Sequence, residues 1–290
     1  MKKIGMVGIG LMGHGIATNL LKHGHELAVL DHPGNQPLDA LRASGVQVMS
    51  DLVALAARSE MIILVLTGSP AVEAVLTGEG GVLQGLRPGT VVIDCSTALP
   101  ASTQRMAQAV AAAGGRFLDA PMTRTPKEAA EGRLNLLVGG ESDLLAQCRP
   151  VLACFAENVT HVGPVSAGHS MKLLHNFVSL GMVTLLAEAA ACAQRSGVAP
   201  EAFVEVLAKG GGGGIALERL KPFLLAQDPS GLRFSIANAQ KDLGYYQTMA
   251  QDAGAHDAVA SAVLATLNVG AEHAASGAWV PELVRVLGEA

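Results

Sequence analysis

Two residue patterns in this chain have the types and spacing to do chemistry. The first is Lys172 with Asn176, four positions apart. On a helix that spacing puts an amine and a carboxamide on one face, one turn from each other. The amine offers proton transfer and the amide offers orientation of a polar ligand. Taken alone, such a pair is more often a lysine reaching past apolar surface to water beside a surface asparagine. The second pattern is Gly8-Ile9-Gly10-Leu11-Met12-Gly13, a G-x-G-x-x-G. It fits phosphate binding, because the first glycine allows a tight turn, the second lets backbone approach a pyrophosphate and the third lets a helix pack closely.

The elements around the glycine turn decide how it is read. Lys3 to Val7 predicts a buried strand. After the glycines, Ile16, Leu20 and Leu21 share one helix face, and Gly24 ends that helix. Glu26 to Leu30 predicts a second strand, followed at once by Asp31. A lone G-x-G-x-x-G is weak evidence among 34 glycines, but a strand before it, a helix after it and an acid ending the next strand make a dinucleotide site. A carboxylate at Asp31 accepts hydrogen bonds from ribose hydroxyls and repels a 2'-phosphate. His32-Pro33-Gly34 supplies no arginine for that phosphate, so NAD is expected over NADP. The competing reading makes Asp31 a turn former before Pro33 and Gly34.

Strand and helix signals then alternate. Strands are expected at Val46–Met49, Met61–Leu66, Thr90–Asp94, Arg116–Asp119 and Leu134–Val138, with helices between them and a last one from Ser142 to Phe155. That alternation predicts an α/β domain, a doubly wound sheet with helices on both faces. Ligands on such sheets lie beyond the carboxyl ends of strands, which makes Leu66, Thr67, Ser96 and Thr97 cofactor candidates beside Gly8, Gly10, Gly13 and Asp31. The stretch from Ala167 to Gly197 predicts one long helix carrying Lys172, His175 and Asn176. Beyond it strand signals stop, and five helices are expected between Pro200 and Leu287. The expected organisation is a Rossmann domain over 1–164 and an all-α domain over 165–290, with 165–197 as the joining helix. The run of five glycines from Gly210 to Gly214 reads as a linker.

Composition excludes other classes. Hydrophobic residues are 50% and aromatics 3%, so the core is built from Ala, Leu and Val. A net charge of -5 gives neither a nucleic-acid footprint nor a polybasic membrane patch. Cys95, Cys148, Cys154 and Cys192 lack metal-ligand spacing and read as thiols of a reducing compartment. His256 and His273 have no companions at metal-site spacing, so no metal is expected. The start MKKIGMVGIG imitates a signal peptide, but its glycines and lack of a cleavage site favour a strand. The uncharged stretch between Lys172 and Glu188 reads as too short and too polar for a membrane span of ~20 residues. The expectation is a soluble cytoplasmic protein.

With these blocks in place the chain resembles the beta-hydroxyacid dehydrogenase family, that of 3-hydroxyisobutyrate dehydrogenase. Four separated blocks carry the resemblance over nearly the whole length. They are Ile4 to Gly13; Asp94-Cys95-Ser96-Thr97-Ala98-Leu99-Pro100, like D-x-S-T-x-x-P; Asp119-Ala120-Pro121-Met122-Thr123-Arg124-Thr125, like the substrate loop D-A-P-V-S-G-G; and Gly168 to Asn176, like G-x-x-x-K-x-x-N-N, with Lys241-Asp242-Leu243 matching a later K-D-L. The resemblance implies that Lys172 is the general acid/base and that Asn176 orients the substrate. It also implies that Thr123, Arg124 and Thr125 hold the substrate's acid group, that Lys241 lies near nicotinamide and substrate, and that Leu11, Met12, Asp31, Leu66 and Thr97 contact the cofactor. An ordinary lysine, with a pKa near ~10.4, is already protonated at neutral pH and cannot accept a proton; desolvation and a neighbouring cation, Lys241, are what would lower that pKa. The implied reaction interconverts a small anionic 3-hydroxyacid and its semialdehyde or keto form, in a homodimer or homotetramer.

The chain departs from the family pattern at two places. Arg124 and Thr125 replace two glycines and Thr123 replaces a serine, so a charged fork suited to carboxylate, sulfonate or phosphate stands where backbone amides usually serve. The Arg-Thr pair resembles the loop of sulfolactaldehyde reductases, which keeps that reaction, or that of another semialdehyde or glyoxylate reductase, as an alternative. His175 replaces an asparagine, either shaping the pocket and adding pH dependence or only altering packing. A non-catalytic dinucleotide-binding scaffold is the alternative of another class. Such scaffolds, and the imine reductases of this architecture, are expected to depart at the lysine that this chain retains.

Overall fold

A computed structural model describes residues 1–289 of the chain. It divides into two compact units, Met1–Lys172 and the remainder from Leu173. The expected boundary at 164/165 falls earlier, before the long helix; the observed division falls within that helix.

The first unit runs β1 (Lys3–Val7), α1 (Leu11–Lys22), β2 (Glu26–Leu30), α2 (Asp39–Ala43), β3 (Gln47–Met49), α3 (Leu52–Arg58), β4 (Met61–Leu64), α4 (Ser69–Thr77), α5 (Val82–Gly85), β5 (Val91–Asp94), α6 (Pro100–Ala112), β6 (Arg116–Asp119), β7 (Met122–Thr123), α7 (Pro126–Glu131), β8 (Leu134–Gly139), α8 (Ser142–Leu152) and β9 (Ala156–Gly163). The strands form one sheet in the order β3-β2-β1-β4-β5-β6-β8-β7, with β9 also paired to β8. The strands β1 to β6 are mutually parallel. The strand β8 is antiparallel to β6 and β7, and β9 is parallel to β8. This is the doubly wound Rossmann arrangement, with the first strand central and the chain winding outward on both sides.

Both faces of the sheet are buried, as the continuous apolar runs require. Alternate residues of one strand enter opposite cores: Ile4, Met6, Met61, Ile63 and Ile93 line one, and Val7, Ile62, Leu64 and Val92 line the other. The register pairs Val7 with Leu64, Leu64 with Asp94 and Asp94 with Asp119. The carboxyl ends of β1, β4, β5 and β6 therefore finish level.

Two expected elements are shorter than their apolar runs. The strand β4 stops at Leu64. The helix α8 stops at Leu152, because the Phe155 carbonyl accepts the Leu134 N–H and draws the chain into the sheet as β9.

The second unit is helical. It takes most of α9 (Ala167–Arg195), then α10 (Pro200–Lys209), α11 (Ile215–Ala226), α12 (Ile236–Asp252), α13 (Ala258–His273) and α14 (Leu283–Glu289). Leu180, Val183, Ala187 and Ala190 of α9 recur at helical spacing and pack with Leu217, Leu220 and Phe223 of α11 and Leu243 of α12. By length and hydropathy alone α9 is long enough and apolar enough to cross a membrane, against the expectation that the uncharged stretch between Lys172 and Glu188 is too short and too polar for a span. Its apolar window is 44% buried inside the protein.

Candidate functional site

The glycine turn links β1 to α1. Gly8 has φ +97°, where a side chain is strained, and a Cβ there would stand 2.2 Å from the Val65 carbonyl oxygen. A Cβ on Gly13 would stand 2.0 Å from the Gly8 carbonyl oxygen, so this glycine lets helix and turn close on each other. Gly10 is different: its backbone is extended, and a Cβ there meets no atom within 4 Å. Gly10 also caps α1, whose first N–H groups have no partner within the helix. An open surface over a helix N-terminus fits a pyrophosphate, and nothing in the fold itself needs a glycine at position 10. Leu11 is exposed and Met12 partly buried against the core.

The turn has a brace that sequence reading misses. Asn35 accepts the Ile9 N–H through Oδ1 at 3.2 Å and donates to the Leu30 carbonyl at 2.9 Å. It ties the glycine turn to the end of β2, where exposed Asp31 stands with its N–H donating to Met49. A second brace joins neighbouring strand ends. The Ser96 Oγ accepts the Leu66 N–H at 2.9 Å, and the Ser96 N–H donates to Asp94 Oδ1 at 2.9 Å. Ser96 is buried, so its side chain shapes the Leu66–Thr67 turn, while Thr97 is half-buried and Thr67 exposed.

Asp119 ends β6 and anchors the start of α9. Its two carboxylate oxygens accept the N–H groups of Ser166 and His169, each at 2.8 Å. Gly168 permits this approach: a Cβ there would stand 2.4 Å from the Leu137 carbonyl oxygen and 2.7 Å from Asp119 Oδ2. Intramolecular hydrogen bonds contribute about 0.5–1.5 kcal/mol each, and two of them hold the first turn of α9 to the sheet. Lys172 follows on the next turn and is 9% exposed. Around the same anchor lie His169 and Asp94, both buried. Burial holds the Asp94 carboxyl above the usual range, partly offset by His169.

Thr123, Arg124 and Thr125, expected to hold a substrate acid group, all have partners inside the first unit. Thr123 lies in β7, buried, and its hydroxyl accepts from Asn135 at 3.2 Å. Thr125 caps α7 in a reciprocal capping box with Glu128, whose carboxyl the Thr125 hydroxyl pulls below the usual range. Arg124 keeps a backbone that suits glycine, with φ +81°, and its guanidinium donates to Glu157 and to the Arg133 carbonyl. The expected fork presented to a ligand is thus turned, in this structure, onto a carboxylate of β9. The Thr-Pro-x-Glu pattern of residues 125–128 is itself a helix-start signal.

In the second unit the Asn176 Nδ2 donates to Asp242 Oδ2 at 2.7 Å, and both residues are buried. His175 Nδ1 lies 3.0 Å from Asn176 Oδ1. Lys241 pairs with Asp242 at 3.0 Å and lies 5.4 Å from the centre of the Tyr245 ring. Phe177 and Tyr246 stack with centres 4.2 Å apart, which locks α9 to α12 beside this cluster. Asp242, a member of the Lys-Asp-Leu motif with no role implied by the resemblance, joins Asn176 and Lys241 in this cluster. Among the described residues no group of three or more His, Cys, Asp or Glu side chains could hold a metal.

Comparison with known proteins places both units in one family. Residues 3–163 match the NAD binding domain of 6-phosphogluconate dehydrogenase. Residues 166–287 match the NAD-binding domain of NADP-dependent 3-hydroxyisobutyrate dehydrogenase. The chain is 34% identical to 2-(hydroxymethyl)glutarate dehydrogenase of Eubacterium barkeri, over 83% of this chain and 80% of that protein. It is 31% identical to 3-sulfolactaldehyde reductase of Escherichia coli, over 84% and 82%. The structure of Mycobacterium tuberculosis 3-hydroxyisobutyrate dehydrogenase with L-serine superposes with a TM-score of 0.87 at 26% identity, covering 99% of both chains. The chain belongs to the beta-hydroxyacid dehydrogenase family, oxidoreductases that act on CH–OH groups with a nicotinamide dinucleotide.

Proposed function

We infer that the protein is an NAD-dependent dehydrogenase that interconverts a small anionic 3-hydroxyacid and its semialdehyde, with Lys172 as general acid/base. The observation that supports this most is the setting of Lys172: a buried amine on a helix whose first turn is anchored to the carboxyl end of β6. The bound nicotinamide supplies hydride transfer. Removing a hydride from an alcohol carbon also requires removing the hydroxyl proton, and Lys172 takes that proton, or returns it in the reductive direction. Asn176, aimed by Asp242, orients the reacting oxygen. Lys241 adds positive charge that favours an anionic substrate. Asp31, at the end of β2, favours NAD by accepting from ribose hydroxyls and repelling a 2'-phosphate.

The relatives named above act on 2-(hydroxymethyl)glutarate and 3-sulfolactaldehyde, and the M. tuberculosis structure carries L-serine. Each has an acid group and an oxygen-bearing carbon close to it, which is the class we assign here. Sulfolactaldehyde is the second reading, favoured by an arginine at position 124. We assign the enzyme to the cytoplasm as a homodimer or homotetramer, without nucleic-acid or membrane partners.

The test is NADH oxidation with succinic, methylmalonic and tartronate semialdehydes, glyoxylate and sulfolactaldehyde, repeated with NADPH. Turnover of at least one acid-bearing carbonyl, with higher kcat/KM for NADH, is expected. Silence with all five refutes the dehydrogenase reading, and a clear NADPH preference refutes the role of Asp31.

A further inference from the structure

The ring of His169 is a buried titratable group that nothing described so far requires. It is 0% exposed and lies between two buried carboxyl groups, 3.9 Å from Asp94 and 3.8 Å from Asp119. Burying an imidazole is costly unless both nitrogens are satisfied. Both are: Nδ1 is 2.7 Å from the Thr103 hydroxyl on α6, and Nε2 is 3.1 Å from the Ser96 carbonyl beyond β5. A carbonyl only accepts, so Nε2 carries a hydrogen and donates it there. The backbone N–H of the same residue donates to Asp119.

One residue therefore ties the first turn of α9 to three segments: α6, the segment just after β5 and the end of β6. Ser96 extends the chain of bonds to Leu66 N–H and the turn after β4. Lys172 lies three residues beyond His169, about 4.5 Å along the helix axis. A leucine would fill the same space without the cost of a buried polar ring. What the ring adds is a fixed distance between the helix carrying Lys172 and the strand ends that border the cofactor turn.

We propose that His169 is a positioning residue for proton transfer: its bond to the Ser96 carbonyl sets where Lys172 stands relative to the strand ends. This rests on the reading of Lys172 as general acid/base. His169 itself touches no reacting atom. Reactions of this kind lose about 10²-fold when a group shifts by ~1 Å, so loss of the bond should appear in turnover rather than in cofactor binding.

The experiment compares His169→Leu and His169→Gln with wild type, using the best carbonyl from the panel above. Glutamine carries an N–H donor to nearly the same place as Nε2. The expected result is a kcat lowered about 10²-fold in His169→Leu, with NADH affinity within about threefold of wild type, and recovery to within about fivefold of wild-type kcat in His169→Gln. Wild-type kcat in His169→Leu, or equal loss in both variants, overturns the proposal. If His169→Leu does not fold, Thr103→Val replaces it: a kcat several-fold below wild type is expected, and an unchanged kcat overturns the proposal. Should wild type itself be silent with every carbonyl, the dehydrogenase reading fails first. The placement of His169 is then read from amide hydrogen exchange over Ser166–Lys172. Faster exchange in His169→Leu, restored in His169→Gln, supports the clamp; unchanged exchange overturns it.

Discussion

Asp242 accepts a 2.7 Å hydrogen bond from the side-chain amide of Asn176, and both groups are buried. The bond fixes which way the amide faces: its nitrogen points at the carboxylate, so its oxygen is directed elsewhere, 3.0 Å from His175 Nδ1. Replacing Asp242 with Ala strands a buried donor, which costs about 1–3 kcal/mol. Urea unfolding of Asp242→Ala should show that loss, and kcat should fall because Asn176 is no longer aimed. Wild-type stability and turnover in this variant would mean that the bond is incidental.

The glycine turn separates cofactor binding from folding. Gly10→Ala places a methyl in space that no protein atom occupies, whereas Gly13→Ala drives one into the Gly8 carbonyl. Gly10→Ala should keep the wild-type Tm within a few degrees and weaken NADH binding at least tenfold by fluorescence titration, a change of about 1.4 kcal/mol. Gly13→Ala should lose stability outright. Unaltered NADH affinity in Gly10→Ala would show that the pyrophosphate lies elsewhere.

Arg124 combines a left-handed backbone with an ion pair to Glu157. A non-glycine residue in that conformation costs about 1–2 kcal/mol, and a partly exposed pair returns only ~0–1 kcal/mol. Arg124→Gly should therefore be as stable as wild type or slightly more so. If the guanidinium serves an anionic substrate after leaving Glu157, KM for that substrate rises in Arg124→Gly and falls in Glu157→Gln. Opposed movement of the two KM values is expected; an unchanged KM in both assigns Arg124 to the Glu157 contact alone.

Asp94 gives a pH dependence with a definite sign. Its folded carboxyl titrates above the usual range, chiefly because it is buried. Above the ordinary carboxylate range the folded state then holds a proton that the unfolded chain has lost, so this group's contribution to stability falls as pH rises. Asp94→Asn removes that dependence. Comparing urea unfolding at pH 5 and pH 8, the stability of Asp94→Asn relative to wild type should increase with pH. A relative decrease would mean that His169 outweighs burial and keeps the carboxylate ionised.

Much of this architecture was legible in residue patterns. The strands β1, β2 and β6 have the expected ends, because each is an apolar run bounded by glycine or a polar residue, and the region beyond α9 is helical as expected. That Asp31, Leu66 and Ser96 lie just beyond the carboxyl ends of strands was expected from the alternation of strand and helix; that those ends finish level is set by the register. Short elements were not legible: α2, α5 and β7 have too few residues to show a period. Side-chain partners at long sequence separation were not legible either. Nothing near Arg124 announces Glu157, nothing near Asn176 announces Asp242, and His169 reads as an ordinary helix residue until Ser96 and Thr103 are folded against it.

Lys172→Ala tests the account most directly, with kcat for the best carbonyl and the NADH dissociation constant measured on the same preparation. General acid/base groups contribute about 10²–10⁴-fold. The account predicts a kcat lower by that factor with NADH affinity nearly unchanged. Turnover close to wild type would contradict it, since the proton would then be moving through some other group.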